Sequence, residues 1–434
     1  VVDSIKDRFP SDPHVTVLQT NILRDKCIVT GSLTHAATAV EILDQYLVDY
    51  PCQQNLLELR ASLLINLGRN GEASASIEKL GRQRSQAVMR LKAWNACQQG
   101  SVAEAQSIWK ESKGYHYIPP IQRSKPDELI KLDRKEVKVS KESILLFTAI
   151  KNERWRLPWF LSYYRSLGVD LFFFVLNDSD DGSLEFLREQ DDVVLFRSSQ
   201  PFAQTYAGVR WFNTLIERYG DECWCMYADV DEAIIFPNIE TRGLRTLTDY
   251  MSTQGHQVFT GFMLDMVSPT LKSLTFSEDY TRFFDDYPFF ENNYTSMPSE
   301  TCPFHITSGG VRRQFETIVN LTKTPIIRGG IGIEFLESSH KVSPAVVSDV
   351  SGAVLHFKLA GNFDEYLASE MQSTRSMGCK VRNLTYQRWL EKFMRSSEKK
   401  LERLTRFKSS QQLVELGLIR TSKNFELQSK DNCL

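Results

Sequence analysis

The stretch Cys223-Trp-Cys-Met-Tyr-Ala228, running straight into Asp229-Val-Asp231-Glu232, decides how this chain folds. An uncharged run followed at once by three carboxylates describes a buried strand that stops at a polar edge. The same figure recurs upstream. Ser143-Ile-Leu-Leu-Phe-Thr-Ala-Ile150 precedes Lys151-Asn152-Glu153, and Val169 to Leu176 precedes Asn177-Asp-Ser-Asp180-Asp181-Gly-Ser183. Val193 to Phe196 reads as a further strand. Helical patterns fill the gaps at Arg156 to Leu167, Leu184 to Gln190 and Phe202 to Tyr219. Strands that are apolar throughout, alternating with helices, predict an α/β fold with a mostly parallel sheet covered on both faces. In such sheets ligands bind beyond the carboxyl ends of the strands, which gathers these three polar loops along one edge.

Asp229-x-Asp231 places two carboxylates where a strand stops, so that both reach one hard divalent cation, Mg²⁺ or Mn²⁺, that also accepts phosphate oxygens. Solvated loop acids are the plainer alternative. The loop Asn177 to Ser183 repels anions and holds a single glycine. It suits hydrogen bonding to a base or ribose rather than cradling phosphate, although an ordinary Asp/Gly turn has the same composition. His356-Phe-Lys358 sits at the end of another apolar run. The imidazole is able to complete a carboxylate metal site, and Lys358, two residues on, emerges on the same side and can neutralise a diphosphate. A packed core histidine is the competing reading. His340 is the rival ligand, whereas His256 and His305 read as structural.

In this order the residues resemble a GT-A-fold glycosyltransferase of the family-two-like group. The likeness spans roughly residues 143–375 and continues through Leu264-Asp265-Met266, Gly309-Gly-Val-Arg312-Arg313, Lys323-Thr-Pro-Ile-Ile-Arg328, Ser338-Ser-His340 and Leu355-His356-Phe-Lys358. The resemblance implies a Rossmann-like catalytic domain that uses Mn²⁺ or Mg²⁺ and a nucleotide sugar, in the first instance a UDP-sugar. Lys151, Asn152, Glu153, Asn177, Asp180, Asp181, Asp229 and Lys358 would hold the nucleotide sugar, and Asp229, Asp231 and His356 the metal. It further implies inverting transfer to a glycan or lipid-linked acceptor, in the assembly of surface polysaccharide in the cytoplasm or at the inner face of the membrane. The chain lacks a plain Glu-Asp base motif and a Gln-x-x-Arg-Trp motif. Asp265, at the end of the apolar run Phe259 to Leu264, is the first choice of base, with Glu291 and Glu316 as alternatives. Arg312 and Arg313 follow two glycines and could grip an acidic or phosphorylated acceptor, or lie in a solvated turn. The aromatic run from Tyr280 to Tyr294, interleaved with Asp285, Asp286, Asn292 and Asn293, reads as core, lid or a ligand-facing segment.

Residues 1–120 read as helices. Gly68-Arg-Asn-Gly-Glu72-Ala73 recurs thirty-two residues later as Gly100-Ser-Val-Ala-Glu104-Ala105, with a poorer copy from Gly31. That spacing resembles the tetratricopeptide repeat, whose period is about 34, and predicts an all-α helical-repeat domain for a protein partner or self-association. Residues 121–140, with Ile-Pro-Pro at 118–120 just before them, read as a linker, 141–385 as the catalytic domain, and 386–434 as a helical tail with a basic face.

Composition narrows the alternatives. Over 434 residues, 42% hydrophobic and 24% charged describe an ordinary globular protein, and a net charge of −2 gives no global pull toward nucleic acid. No apolar run approaches the ~20 residues that span a bilayer. Eight cysteines without a CxxC pair argue against structural zinc and suggest reduced thiols. The chain opens Val-Val rather than with Met, as an excised piece of a longer protein would. Two rival functions remain: a sugar nucleotidyltransferase, which would normally carry a Gly-rich basic loop after the first strand, and a helical-repeat scaffold with an inactive transferase-like domain.

Overall fold

The computed structural model describes residues 12–30, 32–81, 85–112, 129–132, 136–268, 283–296, 306–314, 320–336, 339–358 and 403–431. Six helices come first: α1 Pro13–Thr30, α2 Leu33–Asp49, α3 Gln54–Asn66, α4 Asn70–Lys79, α5 Gln86–Gln98 and α6 Val102–Ser112. They pack in consecutive pairs, α1 with α2, α3 with α4 and α5 with α6. The repeated glycines explain the turns. Gly68 and Gly100 take φ of 71° and 85°. The residue after each bonds back to the last turn, Arg69 N to Leu64 O at 2.9 Å and Ser101 N to Ala96 O at 2.9 Å. That is the same left-handed helix stop at both places, a conformation in which a side chain costs energy. Gly31 lies outside the described residues. Alanines 36, 39, 61 and 73 are buried where the helices meet.

The α/β part runs β1 Ile130–Lys131, β2 Ile144–Ile150, α7 Leu157–Ser166, β3 Leu171–Leu176, α8 Ser183–Arg188, β4 Val193–Arg197, α9 Val209–Tyr219, β5 Trp224–Tyr227, β6 Glu232–Ile235, α10 Leu244–Thr253 and β7 Val258–Asp265. It continues with α11 Phe283–Asp286, β8 Phe289–Glu291, β9 Tyr294–Ser296, β10 Ile306–Gly309, α12 Val311–Gln314, β11 Thr322–Arg328, β12 Val347–His356, β13 Leu404–Arg406, α13 Ser410–Glu415 and α14 Lys423–Asp431. Nine strands form one mixed sheet in the order β1-β4-β3-β2-β5-β11-β7-β12-β6. Six of them point the same way, while β1, β11 and β6 run against them.

The apolar runs are continuous because consecutive residues enter different cores. Ile144 and Leu146 of β2 join Phe160 and Tyr164 of α7, while Leu145 and Phe147 join Trp211 and Phe212 of α9 on the opposite face. Phe160 and Phe212 are almost wholly buried. Truncating such a phenylalanine to alanine costs about 3–5 kcal/mol, so the two layers hold the sheet between them.

Several expectations need correction. The linker region supplies an edge strand, with Ile130 opposite Arg197. The helix expected over 202–219 begins only at Val209, after a 3₁₀ turn at Phe202–Thr205 and three residues of positive φ, Tyr206, Ala207 and Gly208. A Cβ on Gly208 would meet the Phe212 ring at 2.6 Å, so the chain is forced close there. The tail is not helical throughout: Leu404–Arg406 is a strand that pairs antiparallel with β8. From Ser410 on the tail closes over the α/β part. Ser410 Oγ donates to Glu240 at 2.6 Å, and Phe425 is buried beside Tyr250. Of the aromatic run, Phe283 and Tyr287 are buried and Phe283 stacks with Trp155, so packing accounts for them. Tyr280, Trp389, Phe393, Lys399, Lys400 and Leu401 fall outside the described residues. Among the described residues no helix is long and apolar enough to cross a membrane.

Candidate functional site

Register explains why distant residues converge. His356, the last residue of β12, is the partner of Asp265 on β7 and of Glu232 on β6. Three adjacent strands therefore present an imidazole and two carboxylates at one edge. β5 ends at the same edge, because it runs parallel to β2 with Phe147 opposite Tyr227. The short link from β5 to β6 carries Asp229 and Asp231. Two tyrosines of α7 pin β6 directly after that link: Tyr164 donates to Glu232 O at 3.0 Å and Tyr163 to Ile234 O at 2.6 Å.

The side chains form a chain of charges. Arg312 clasps Asp265 with two nitrogens, Nε to Oδ2 at 2.6 Å and Nη2 to Oδ1 at 2.9 Å. His356 Nδ1 lies 2.6 Å from Asp265 Oδ1. A carboxylate only accepts, so Nδ1 carries the proton and donates. The other ring nitrogen, Nε2, then faces Asp231 Oδ2 at 3.7 Å. Lys323 Nζ meets Glu232 Oε1 at 2.9 Å, and Arg156 meets Glu153 at 2.5 Å. Asp229 accepts from Tyr227 OH at 2.7 Å.

Burial makes these contacts consequential. Asp231, Asp265, Glu232 and Lys323 are each less than 10% exposed. Burial alone would raise Asp265, yet the Arg312 guanidinium and the His356 hydrogen bond hold it well below the usual carboxylate range. Asp231 is likewise opposed by burial but drawn down to about 2 by His356, Lys358, Arg156 and Lys323. Burial would discharge Lys323, and Glu232 and Asp229 keep its proton on. Glu153 is pushed up by burial in spite of Arg156.

Beyond β2 and β3 the two polar loops are fastened to each other. Asn152 N donates to Ser179 Oγ at 3.1 Å, and Asp180 N to Asn152 Oδ1 at 2.9 Å. Arg154 N donates to Asp181 Oδ2 at 2.7 Å. Asn177 uses its amide on Ser198 O and Gln200 O, so it braces the loop and does not project from it. Asn152 and Asp178 take φ of 57° and 56°, a conformation that short polar side chains tolerate best. Lys151, Asn152, Asp180 and Asp181 are exposed.

Of the expected site residues, Asp229, Asp231, His356, Asp265 and Arg312 are thus brought together, with Lys358 and Glu153 close enough to act on them electrostatically. Two expectations change. Asp265 has both oxygens engaged and a depressed proton affinity, so it suits orienting His356 and Arg312 better than accepting a proton. Arg312 faces inward onto Asp265. Arg313 is the exposed one of the pair, and it reaches Glu291 at 3.1 Å. Glu316, His305 and Cys302 lie outside the described residues. His340 sets Nδ1 against Thr322 O at 2.6 Å, and His256 packs on Tyr250. Sequence reading missed Lys323 and Arg156. A lysine inside an apolar strand was the available signal for the first. Pro325 beside it has no amide hydrogen, and the β11 register slips between Lys323 and Ile326.

Among the described residues, no three His, Cys, Asp or Glu side chains converge as a ready cation cage. The donors nevertheless fit a hard cation: His356 is turned by a carboxylate behind it so that Nε2 faces Asp231, the arrangement by which proteins aim imidazole ligands. No protein-family model matches this sequence, and no curated protein matches it.

Proposed function

We propose that the chain is a metal-dependent glycosyltransferase of GT-A type preceded by a tetratricopeptide-like helical domain, moving a sugar from a nucleotide sugar to a hydroxyl of a glycan or lipid-linked acceptor. The observation that carries this is the alignment Asp231, His356, Asp265, Arg312 at the carboxyl edge of an α/β sheet, beside two loops rich in hydrogen-bonding groups. Asp229, Asp231 and His356 would hold Mn²⁺ or Mg²⁺, which when bound supplies positive charge to the departing diphosphate. Asp265 fixes the imidazole tautomer. Lys358 adds a cation beside Asp231. Asn152, Asp180 and Asp181 offer acceptors for a ribose or base. With Asp265 committed, the reading leaves the base role to one of its two alternatives, Glu291 or Glu316. The setting is surface polysaccharide assembly at the cytoplasmic face of a membrane, the helical stretch serving a protein partner or self-association.

The test is thermal stabilisation by a panel of nucleotide sugars and free nucleoside diphosphates with Mn²⁺, together with release of nucleoside diphosphate. Stabilisation by at least one donor, lost in Asp231→Ala, is expected. No response from any donor favours the other reading, a scaffold with an inactive transferase-like domain. Internal pairing of Glu232 with Lys323 and Asp265 with Arg312 speaks for that reading, since it closes the charge balance without a cation.

A further inference from the structure

A cavity of about 220 Å³ lies apart from the acid cluster, between the face of β7 and β12 and the segment Leu416 to Arg420 of the tail. At roughly 30 Å³ per water it holds about seven waters, the scale of one small polar molecule. Its walls are mixed. Phe262 and Leu418 supply apolar faces, Thr260, Asn292, Tyr294 and Ser351 supply hydroxyls and an amide, and Arg420 supplies a charged guanidinium.

Two of those groups are unsatisfied. Thr260 is 3% exposed, and its Oγ1 has no hydrogen-bond partner among the described residues. The Tyr294 hydroxyl is buried and equally without one. A buried hydroxyl left unpaired is unfavourable, so its persistence on a cavity wall marks a place where a ligand's polar atom belongs. Tyr294 is also the partition toward the acid cluster. Its ring meets Phe262 edge-on at 5.0 Å, and its hydroxyl lies so near Gly310 that a Cβ there would come within 2.4 Å. Gly310 is two residues from Arg312, which holds Asp265.

We propose that this cavity binds a single saccharide ring. Hydroxyls, an amide and the Arg420 guanidinium on the walls match a polyhydroxylated ligand, whose hydroxyls both donate and accept, while Phe262 and Leu418 cover its apolar C–H face. That the ring belongs to the acceptor rests on the transferase reading above; the binding itself does not.

The experiment uses the whole chain and a panel of free hexoses and N-acetylhexosamines at millimolar concentration, with saturation-transfer NMR and thermal shift as readouts. At least one sugar should bind the unaltered protein. Thr260→Val should weaken that sugar at least tenfold while leaving the sugar-free melting temperature unchanged or higher, because valine removes the unpaired hydroxyl without changing shape. Ser296→Trp, at the exposed rim, should block binding. Absence of binding by every sugar, or equal binding to all three proteins, overturns the proposal, and the cavity then holds water only. Nucleoside diphosphate with Mn²⁺, measured on the same samples, reports separately on the transferase reading: its failure alongside sugar binding removes the acceptor role and leaves the sugar site standing.

Discussion

Strands β2 and β3 and strands β7, β12 and β6 deliver polar groups to the same edge of one sheet by different means. In the first set the groups sit on loops, open to water, bonded mostly to backbone of the neighbouring loop, as Asn152 and Asp181 are. In the second they sit on the strand ends, buried, each against an opposite charge, as Asp265 is against Arg312. Loop groups can lose a partner and find water. A buried charge that loses its partner has nothing to replace it, so the second set behaves as one unit.

The sharpest break of that contrast is Arg312→Ala. It strands Asp265 without its guanidinium, and chemical denaturation should show a loss of about 3–5 kcal/mol. A loss below ~1 kcal/mol would put the strand-end network on the same footing as the loops. Acid comes next. Asp265 and Asp231 bind protons more weakly folded than unfolded, so their stabilisation is complete above their unfolded values near 4 and declines below them; that of Asp231 is lost as pH falls through about 2, and that of Asp265 only in stronger acid. Asp231 alone accounts for about 2 kcal/mol of that. Melts of the metal-free protein across this window should steepen downward, and Asp231→Asn should flatten the fall. Asp181→Ala, on the loop side, removes acceptors for Arg154 N and Ser183 Oγ and should cost about 1 kcal/mol in the same denaturation assay. Smallest is Arg165→Ala. Its pair with Asp192 lies at the surface, partly exposed, and the change should stay within about 1 kcal/mol and shrink further in high salt.

The same contrast explains what the sequence could disclose. Local pattern announces β2, β3, β4 and β5, because each is a short apolar run bounded by its own polar loop. It announces the turns at Gly68 and Gly100, because the left-handed stop needs only one residue. It puts Asp229 and Asp231 together, since they are two apart in the chain. The pairing of Asp265 with His356 depends on the register of β7 against β12, no local pattern encodes a register between strands some ninety residues apart, and Arg312 arrives from a third element, α12. That is why Asp265 reads as a base and Arg312 as an acceptor grip until the strands are aligned. Leu404–Arg406 was hidden for the same reason, being a strand only by virtue of its partner β8.

Helix α1, from the beginning of the described chain, lies against β9 and β10, and β13, from near its end, zips onto β8. An early helix and a late strand of the described chain are thereby buckled onto the elements that flank Glu291, Tyr294 and Arg312. Deleting α1 or β13 should therefore disturb the chemistry at the centre of the molecule sooner than it loosens the sheet.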